Sequence, residues 1–217
     1  MSYPVEPTQF KEYFFKPEWY ERDFFHSPDG IKEFPQHHCK LTYMLSKPYI
    51  NKTRTAIDIG CRDGEYTRYL QNDFDHVFCF DVRYRRLFAY NADPNKTTHF
   101  RCALGNTENK YPREDEFFQN YKEQIYTLDS FNLSNVDYIK IDTDGFEYDI
   151  IQGALKTIEK NKPIIICEAA PDEAQRFQNQ HHAIDFLVKE CYYSIVKICD
   201  RNIDLSLIHI SEPTRPY

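Results

Sequence analysis

The clearest hydrophobic pattern in the chain lies between Val136 and Ala169 and predicts a strand, an acidic loop, a helix and a second strand. The apolar run Val136–Ile141 is short enough for a buried strand and stops at the polar loop Asp142–Gly145. Apolar residues then recur at helical spacing, with charged residues left for the opposite face. The continuous apolar run Ile164–Cys167 is typical of a strand that is covered on both faces.

Both of these predicted strands end on acidic residues. Asp142 and Asp144 follow the first strand, and Glu168 follows the second. In open parallel α/β sheets the ligand binds outside the carboxyl ends of the strands. We therefore expect Asp142, Asp144 and Glu168 to converge on one crevice.

A second informative stretch predicts a strand over Ala56–Ile59, a tight loop over Gly60–Gly64 and a helix over Glu65–Leu70. Glycines suit a backbone that turns sharply and approaches a ligand closely. The spacing differs from the dinucleotide pattern GxGxxG, because Cys61, Arg62 and Asp63 stand between the two glycines. Taken alone, this loop is equally consistent with an ordinary turn between a strand and a helix.

The following strands supply candidate ligand contacts. The predicted strand His76–Phe80 ends at Asp81, which stands 23 residues after Asp58. That offset is close to the ~20 residues at which an acid binds a ribose diol. A third strand is predicted over Thr97–Ala103, and an adenine would lie against Ala103 and Leu104. Further along, a helix is predicted over 171–190 and a strand over Tyr192–Ile198.

The two ends of the chain differ from the region between them. Residues 1–50 are rich in aromatic side chains and prolines, which predicts a segment that covers the main domain at 51–205. The last residues, LSLIHISEPTRPY, resemble a tail that recurs on unrelated translated sequences. We therefore expect 206–217 to be non-native or disordered.

Composition narrows the function classes. The chain has 217 residues, is 41% hydrophobic and carries a formal charge of −7, which favours one globular α/β domain. A pI of about 5.6 and the absence of a Lys/Arg-rich block argue against nucleic acid or an anionic membrane as partner.

The chain also carries no export signal that we can identify. No apolar run approaches the roughly 20 residues of a membrane span, and no signal-peptide core is present. Seven cysteines without a close Cys-x-x-Cys pair indicate neither zinc nor disulfides. These features favour the cytoplasm, or the host cytoplasm for a viral protein.

Five motifs together resemble the FkbM family of S-adenosylmethionine-dependent methyltransferases: IDIGCRDGEYTRYL, VFCFDV, RCALGN, YTLDSF and YIKIDTDGFEYDIIQGALKTIEKNKPIIICE. The resemblance covers Thr55 to Glu168, and its most specific part is the run from Lys140 to Glu147, followed by Gly153. The family usually has glutamate at the position of Asp144 and small residues at the positions of Cys61 and Phe146. These departures leave the predicted fold intact, and the family's substrates do not carry over to this chain on the resemblance alone.

The resemblance implies a Rossmann-like class I methyltransferase fold, with a mostly parallel central sheet and helices on both faces. It implies S-adenosylmethionine as cofactor and methylation of a hydroxyl on a sugar, glycan or other small molecule. Asp58 and Gly60 would border the methionine part of the cofactor, Asp81 the ribose, and Ala103 with Leu104 the adenine. The full set of predicted cofactor-binding residues is Asp58, Gly60, Cys61, Gly64, Asp81, Ala103, Leu104 and Asp142.

Methyl transfer to an alcohol needs a base within hydrogen-bond reach. We predict Asp142 as that base, with Glu168 as the alternative and Lys140 as the partner of one of them. Glu147 is either part of the site or an acid at a helix N-terminus.

Three alternatives stay open at this point. Asp142, Asp144 and Glu168 could bind Mg²⁺, although metal-free catalysis is favoured because no histidine or amide completes the site. A Rossmann-type NAD-dependent oxidoreductase would use the same glycine loop and Asp81. A non-catalytic binding module with a methyltransferase fold would use neither Asp142 nor Glu168 for chemistry.

Overall fold

The computed structural model describes residues 2–10, 25–26, 32–33, 37–83, 87–106, 125–143, 145–167, 183–198 and 208–211. Within these ranges the strands are β1 (Phe25–His26), β2 (Lys32–Glu33), β3 (Thr55–Ile59), β4 (His76–Asp81), β5 (Thr97–Arg101), β6 (Ala103–Leu104), β7 (Ile125–Tyr126), β8 (Val136–Ile141), β9 (Ile164–Cys167), β10 (Ser194–Ile198) and β11 (Ile208–Ser211). The α-helices are α1 (His37–Ser46), α2 (Thr67–Asp73), α3 (Phe88–Asn91), α4 (Glu147–Gln152), α5 (Leu155–Asn161) and α6 (Ala183–Lys189), and short 3-10 helices cover Lys47–Tyr49 and Leu128–Phe131.

Seven of the strands form one sheet in the order β10-β11-β9-β8-β3-β4-β5. Strands β9, β8, β3, β4 and β5 run parallel to one another, whereas β11 is antiparallel to both β9 and β10. The predicted fold, a mostly parallel sheet with helices, is confirmed. Because β3, β4 and β8 are adjacent and parallel, their carboxyl ends open at one edge.

Alternation along the strands produces a hydrophobic core on each face of the sheet. One core joins Ile57 and Ile59 of β3 to apolar residues of α4, α5 and α6, and the other joins Ala56 to apolar residues of α1, α2 and α3. Ile165 and Ile166 of β9 also lie in opposite cores, as the continuous apolar run Ile164–Cys167 predicted for that strand. Among the described residues, no helix is long and apolar enough to cross a membrane.

Three predicted elements differ from those observed. The helix expected across Ile150–Ile158 is divided into α4 and α5 at Gly153, where an added Cβ would lie 1.9 Å from the carbonyl oxygen of Gly105. The strand expected over Thr97–Ala103 ends at Arg101, and Ala103 instead pairs with Ile125 in a separate two-stranded sheet. The helix after the glycine loop begins at Thr67 instead of Glu65.

The described N-terminal residues pack along edge strand β5. The backbone N–H of Thr8 donates to the carbonyl oxygen of His99 at 2.7 Å, and the Thr8 hydroxyl lies 2.9 Å from Nδ1 of His99. Phe10 stacks on Phe88 of α3, with ring centroids 5.4 Å apart, and Tyr3 meets Phe100 edge to face. Burial, with a smaller contribution from nearby Arg101, lowers the pKa of the His99 imidazole to about 3.

The C-terminal strand β11 lies within the range for which we predicted a non-native or disordered tail. Its residues pair with β9 through Ile208 and Cys167 and with β10 through Ile208 and Ile198. The domain boundaries at residues 50 and 205 and the foreign origin of 206–217 stay predictions.

Candidate functional site

Strand register brings three of the predicted site residues to the same edge of the sheet. Ile59 of β3 lies beside Phe80 of β4 and Ile141 of β8, so Gly60, Asp81 and Asp142 emerge together. Backbone hydrogen bonds continue past the strand ends: Gly60 N–H donates to Phe80 O at 2.9 Å, and Asp142 N–H donates to Ile59 O at 3.2 Å. Sequence alone placed each residue at the end of a strand, and the parallel pairing brings them together.

The two glycines of the loop after β3 are required by neighbouring protein atoms. Gly60 has a φ of +74°, and a Cβ there would lie 1.8 Å from the carbonyl oxygen of Asp142. Gly64 has a φ of +82°, and its Cβ would lie 3.0 Å from Cβ of Asn91. We expected glycines here because of close approach to a ligand. The contacts show that Gly60 first permits the close approach of the loop after β3 to the end of β8.

Asp81 is held at the end of β4 by two backbone N–H groups. Arg62 N–H donates to Oδ2 at 2.9 Å, and Arg83 N–H donates to Oδ1 at 2.8 Å. Arg62 itself has a φ of +45°, in the left-handed region, so its N–H reaches β4 from within a tight turn. A carboxylate oxygen has room for a second hydrogen bond, so each oxygen of this partly exposed group can still accept a hydroxyl.

Lys140 lies at the centre of a buried charge cluster between β3 and β8. Its Nζ donates to the carbonyl oxygen of Gly60 at 3.0 Å and approaches that of Ile59 at 3.5 Å. The same atom lies 3.3 Å from Oδ1 of Asp58 and 3.4 Å from Oδ2 of Asp142. The lysine side chain is 6% exposed, so these groups, together with the Tyr66 ring 5.8 Å away, form much of its surroundings.

The protonation state of Lys140 follows from two opposing effects. Burial disfavours the ammonium and acts to lower its pKa, but the carboxylates of Asp142 and Asp58 outweigh that effect. The pKa of Lys140 therefore lies above its ordinary value. At neutral pH this residue is a cation that orients its neighbours, and it is not available as a base.

Asp58 supports the loop from within the core. It is fully buried, and Oδ2 accepts a hydrogen bond from the hydroxyl of Thr67 at 2.6 Å. Oδ1 accepts no hydrogen bond from the described residues, although the Lys140 ammonium lies 3.3 Å away. The contact at Oδ1 is therefore a charge–charge contact without hydrogen-bond geometry. Because Asp58 is sealed from solvent, it would act on a ligand through the loop that it holds.

Asp142 is the candidate base whose position is described. Its side chain is 24% exposed, and one carboxylate oxygen faces Lys140. The alternative base, Glu168, and the second acid of the loop, Asp144, lie outside the described residues.

Glu147, for which two roles were open, organises the loop after β8. It begins α4 and is buried, and its Oε1 accepts the N–H of Thr143 at 2.7 Å and the Thr143 hydroxyl at 2.9 Å. Burial raises the pKa of Glu147, and the hydrogen bonds to its carboxylate oppose that rise. These contacts favour the structural role at the helix N-terminus over a direct part in the site.

The remaining predicted cofactor residues are apolar and buried. Cys61 N–H donates to Phe80 O at 3.2 Å, and burial raises the pKa of its thiol. Ala103 and Leu104 lie just beyond β5 and are 8% and 7% exposed. They offer an apolar wall near the carboxyl end of β4, where Cys102 N–H donates to the carbonyl oxygen of Asp81 at 3.1 Å.

Sequence reasoning missed a buried hydroxyl network that links α1 to the glycine loop. The Tyr138 hydroxyl lies 2.6 Å from that of Tyr66 and 2.9 Å from that of Ser46. It also missed the N–H groups of Arg62 and Arg83, because no side-chain pattern reports where a backbone N–H points. Tyr66 and Tyr138 were detectable only as aromatic residues at ordinary core positions.

The donor set at the strand ends does not resemble a metal site. Within the ranges given above, no group of three or more His, Cys, Asp or Glu side chains is arranged to hold a metal ion. The Lys140 ammonium already lies 3.4 Å from Asp142, so a divalent cation at this carboxylate would meet a positive charge. Of the predicted metal ligands, Asp142 alone falls within the described chain.

The sheet order and the acid-ended strands around a glycine loop define a Rossmann-like class I methyltransferase domain. Residues 32–195 match the model of the methyltransferase FkbM domain, and the chain belongs to the FkbM methyltransferase family. No curated protein matches the chain.

Two solved structures illustrate the similarity of the fold. Methyltransferase FkbM from Methylobacillus flagellatus KT is 17% identical with a TM-score of 0.54, over 73% of this chain. This chain spans 43% of that protein's length. N-methyltransferase NodS from Bradyrhizobium japonicum WM9, in complex with S-adenosyl-L-homocysteine, is 12% identical with a TM-score of 0.50, over 82% of this chain and 86% of its own.

Proposed function

We propose that this protein is an S-adenosylmethionine-dependent methyltransferase that methylates a hydroxyl group on a sugar, a glycan or another small molecule. Membership of the FkbM methyltransferase family supports the reaction class. The observation that carries the cofactor assignment is Asp81, whose two carboxylate oxygens are each fixed by one backbone N–H and turned toward the open edge of the sheet.

The residues at this edge fit the proposed cofactor. Asp81 can accept both hydroxyl groups of a ribose, as an acid in this position does in Rossmann-like sites. The buried wall of Ala103 and Leu104 suits an adenine ring. The loop from Gly60 to Gly64 and the partly exposed Asp142 remain for the methionine part.

The bound cofactor would supply a methyl group on a positively charged sulfonium, and the chain would supply position and a proton acceptor. Asp142 accepts the proton of the acceptor hydroxyl as the oxygen attacks, and Glu168 is the alternative acceptor. Lys140 holds Asp142 and the carbonyl oxygen of Gly60 in fixed relation, so the base and the loop keep their spacing. We favour catalysis without Mg²⁺, because the ammonium already occupies one side of Asp142.

The partner we propose is a small-molecule or glycan acceptor, with no nucleic acid and no membrane. The acidic pI and the absence of a basic block support that choice. The location that we propose is the cytoplasm, or a host cytoplasm for a viral protein, and the six free thiols in the described part of the chain are in keeping with it.

Calorimetric titration with S-adenosylhomocysteine and, separately, with NADH tests the cofactor assignment. We expect the former to bind and Asp81→Ala to weaken binding roughly 100-fold, because two hydrogen bonds to a charged acceptor are lost. Asp75→Ala is the matched control, since Asp75 is an exposed acid that directly precedes the same strand at its amino end. It should leave binding unchanged.

Binding of NADH in place of S-adenosylhomocysteine would overturn the proposal in favour of an oxidoreductase. Failure of the folded wild-type protein to bind either ligand would also overturn it.

Turnover separates an enzyme from a binding module. With an acceptor found by screening hydroxylated sugars, Asp142→Asn should lower kcat by about 10²–10⁴-fold, the usual contribution of a general base. Asp185→Asn, an exposed acid on α6, is the control. Full turnover of the Asp142→Asn variant would mean that Glu168 is the base. Loss of turnover when divalent cations are removed, followed by recovery when Mg²⁺ is added, would support the mechanism with a metal ion.

A further inference from the structure

We propose that Asp58, Lys140 and Asp142 form a charge selector that favours the cationic form of the cofactor over its neutral product. This inference rests on the proposed function. Methyl transfer converts a sulfonium with one positive charge into an uncharged thioether. A site with excess negative charge therefore loses a favourable interaction after the reaction, and this loss promotes product release.

The excess charge is visible in the composition of the cluster. Asp58 and Asp142 each contribute a carboxylate, and Lys140 contributes the one ammonium that lies between them, 3.3 Å and 3.4 Å away. The cluster as a whole therefore carries one negative charge. Oδ1 of Asp58 accepts no hydrogen bond from the described residues, so the Lys140 ammonium, which Asp142 shares, is the group that compensates its charge.

Burial makes this charge effective. The side chains of Asp58 and Lys140 are 0% and 6% exposed, so little water screens them. The charge lies beside Gly60 at the carboxyl end of β3, at the edge where Asp81 also ends its strand. Interactions between charges are stronger in such a partly dry environment than at the protein surface.

The charged groups of the described segment that follows β3 do not cancel the excess. Glu65 and the Arg62 guanidinium form a pair at 3.9 Å, which contributes one charge of each sign. Asp63 is a buried acid, and the Arg68 guanidinium, which packs over the Tyr69 ring 5.3 Å from its centroid, contributes a positive charge of equal size. These four charges sum to zero, so the single excess negative charge of the cluster remains.

Two substitutions move the charge of the cluster in opposite directions. Asp142→Asn makes it neutral, and Lys140→Met makes it doubly negative. Calorimetry without acceptor gives the dissociation constants for S-adenosylmethionine and S-adenosylhomocysteine. The quantity compared is the constant for S-adenosylhomocysteine divided by that for S-adenosylmethionine, so a higher ratio means stronger preference for the sulfonium. We expect Lys140→Met to raise the ratio and Asp142→Asn to lower it, each by about three- to tenfold.

The ratio separates charge selection from structural damage. A distorted loop weakens both ligands, and that loss cancels in the ratio, whereas a change in charge acts on the sulfonium alone. Asp75→Asn and Lys160→Met are matched controls, because both residues are exposed and lie next to the amino ends of β4 and β9. They change the protein's net charge equally and should leave the ratio unchanged.

A ratio that stays constant in both cluster variants, moves in the reverse direction, or moves equally in the controls would overturn the inference. These outcomes differ from failure of the proposed function, in which the wild type binds neither ligand. Circular dichroism checks that each variant is folded. If the Lys140→Met variant does not fold, the Asp142→Asn variant is the test. An unchanged ratio of dissociation constants in that variant would then overturn the inference.

Discussion

Two ion clusters connect the same two strands, β3 and β8, at opposite ends, and they are built differently. At the amino end, Arg54 binds Asp137 through Nε and the backbone N–H, both 2.9 Å from Oδ2, and its side chain is 43% exposed. This cluster is one cation with one anion. At the carboxyl end, buried Lys140 serves two carboxylates, Asp58 and Asp142.

The difference separates a structural ion pair from the cluster that we propose acts on a ligand. The Arg54–Asp137 pair is balanced and fully hydrogen-bonded, and its guanidinium is 43% exposed although its carboxylate is 8% exposed, so it can fix strand register at little cost. A buried cluster with excess charge lowers stability unless each group is well compensated. A buried cluster with excess charge at the open edge of the sheet is expected where a bound ligand interacts with that charge. For this reason we place the proposed binding site at this edge.

The largest loss of stability should come from a side chain that fills the space between the carboxyl ends of β3 and β8. Gly60→Ala places a Cβ 1.8 Å from the carbonyl oxygen of Asp142 and forces an L side chain into a φ of +74°. We expect the free energy of unfolding to fall by about 4–5 kcal/mol, because backbone must move and the conformation is strained. Urea unfolding measures the loss.

Gly105→Ala is the control for that substitution. Among the described residues its Cβ would meet a methyl group of Ile125 alone, at 2.9 Å, and a side-chain end can shift where a carbonyl cannot. Equal losses for the two variants would contradict the close approach of the loop to β8.

The next largest loss of stability should come from removing the buried ammonium of Lys140. Lys140→Met leaves two carboxylates facing each other, and we expect a loss of about 3 kcal/mol at neutral pH. Because the folded pKa of Lys140 is raised above its unfolded value, its contribution is complete below the unfolded pKa and is lost as pH rises through the folded one.

Urea unfolding at alkaline pH checks this direction of the pH dependence of stability. The difference between the wild type and Lys140→Met should stay level from about pH 8.5 to 10 and narrow only above about pH 10.4, the ordinary lysine value. A difference that already shrinks below pH 9 would mean that the buried lysine is neutral, and it would remove the basis of the charge selector.

The smallest loss of stability should come from removing the exposed guanidinium at the amino end. Arg54→Met should cost less stability than Lys140→Met, because an ion pair whose cation is 43% exposed gains little over the same charges in water. Its cost should shrink in 1 M salt, where the Debye length is about 3 Å, while the cost of Lys140→Met should persist. Thermal unfolding at low and high salt gives both values, and equal salt dependence would remove the contrast between the two clusters.

Much of the fold could be predicted because its signals are local. Short stretches rich in apolar residues marked β3, β4, β8 and β9, and the acids at their ends marked the edge at which we propose the site. The errors arose where distant backbone decides the local structure. At the break between α4 and α5, Gly153 packs on the carbonyl oxygen of Gly105 and its own carbonyl oxygen accepts the N–H of Asp129 at 3.0 Å, and no pattern within the helix reports either contact.

The sequence by itself determined the strands, the positions of their acidic ends and the family, since periodicity and motif order are properties of neighbouring residues. Only the tertiary structure decided that Lys140 is shared by Asp58 and Asp142, and that Asp81 is held by the N–H groups of Arg62 and Arg83. These contacts depend on strand register and on the direction of individual backbone bonds. Both are set by packing across the whole sheet, so a single stretch of sequence cannot specify them.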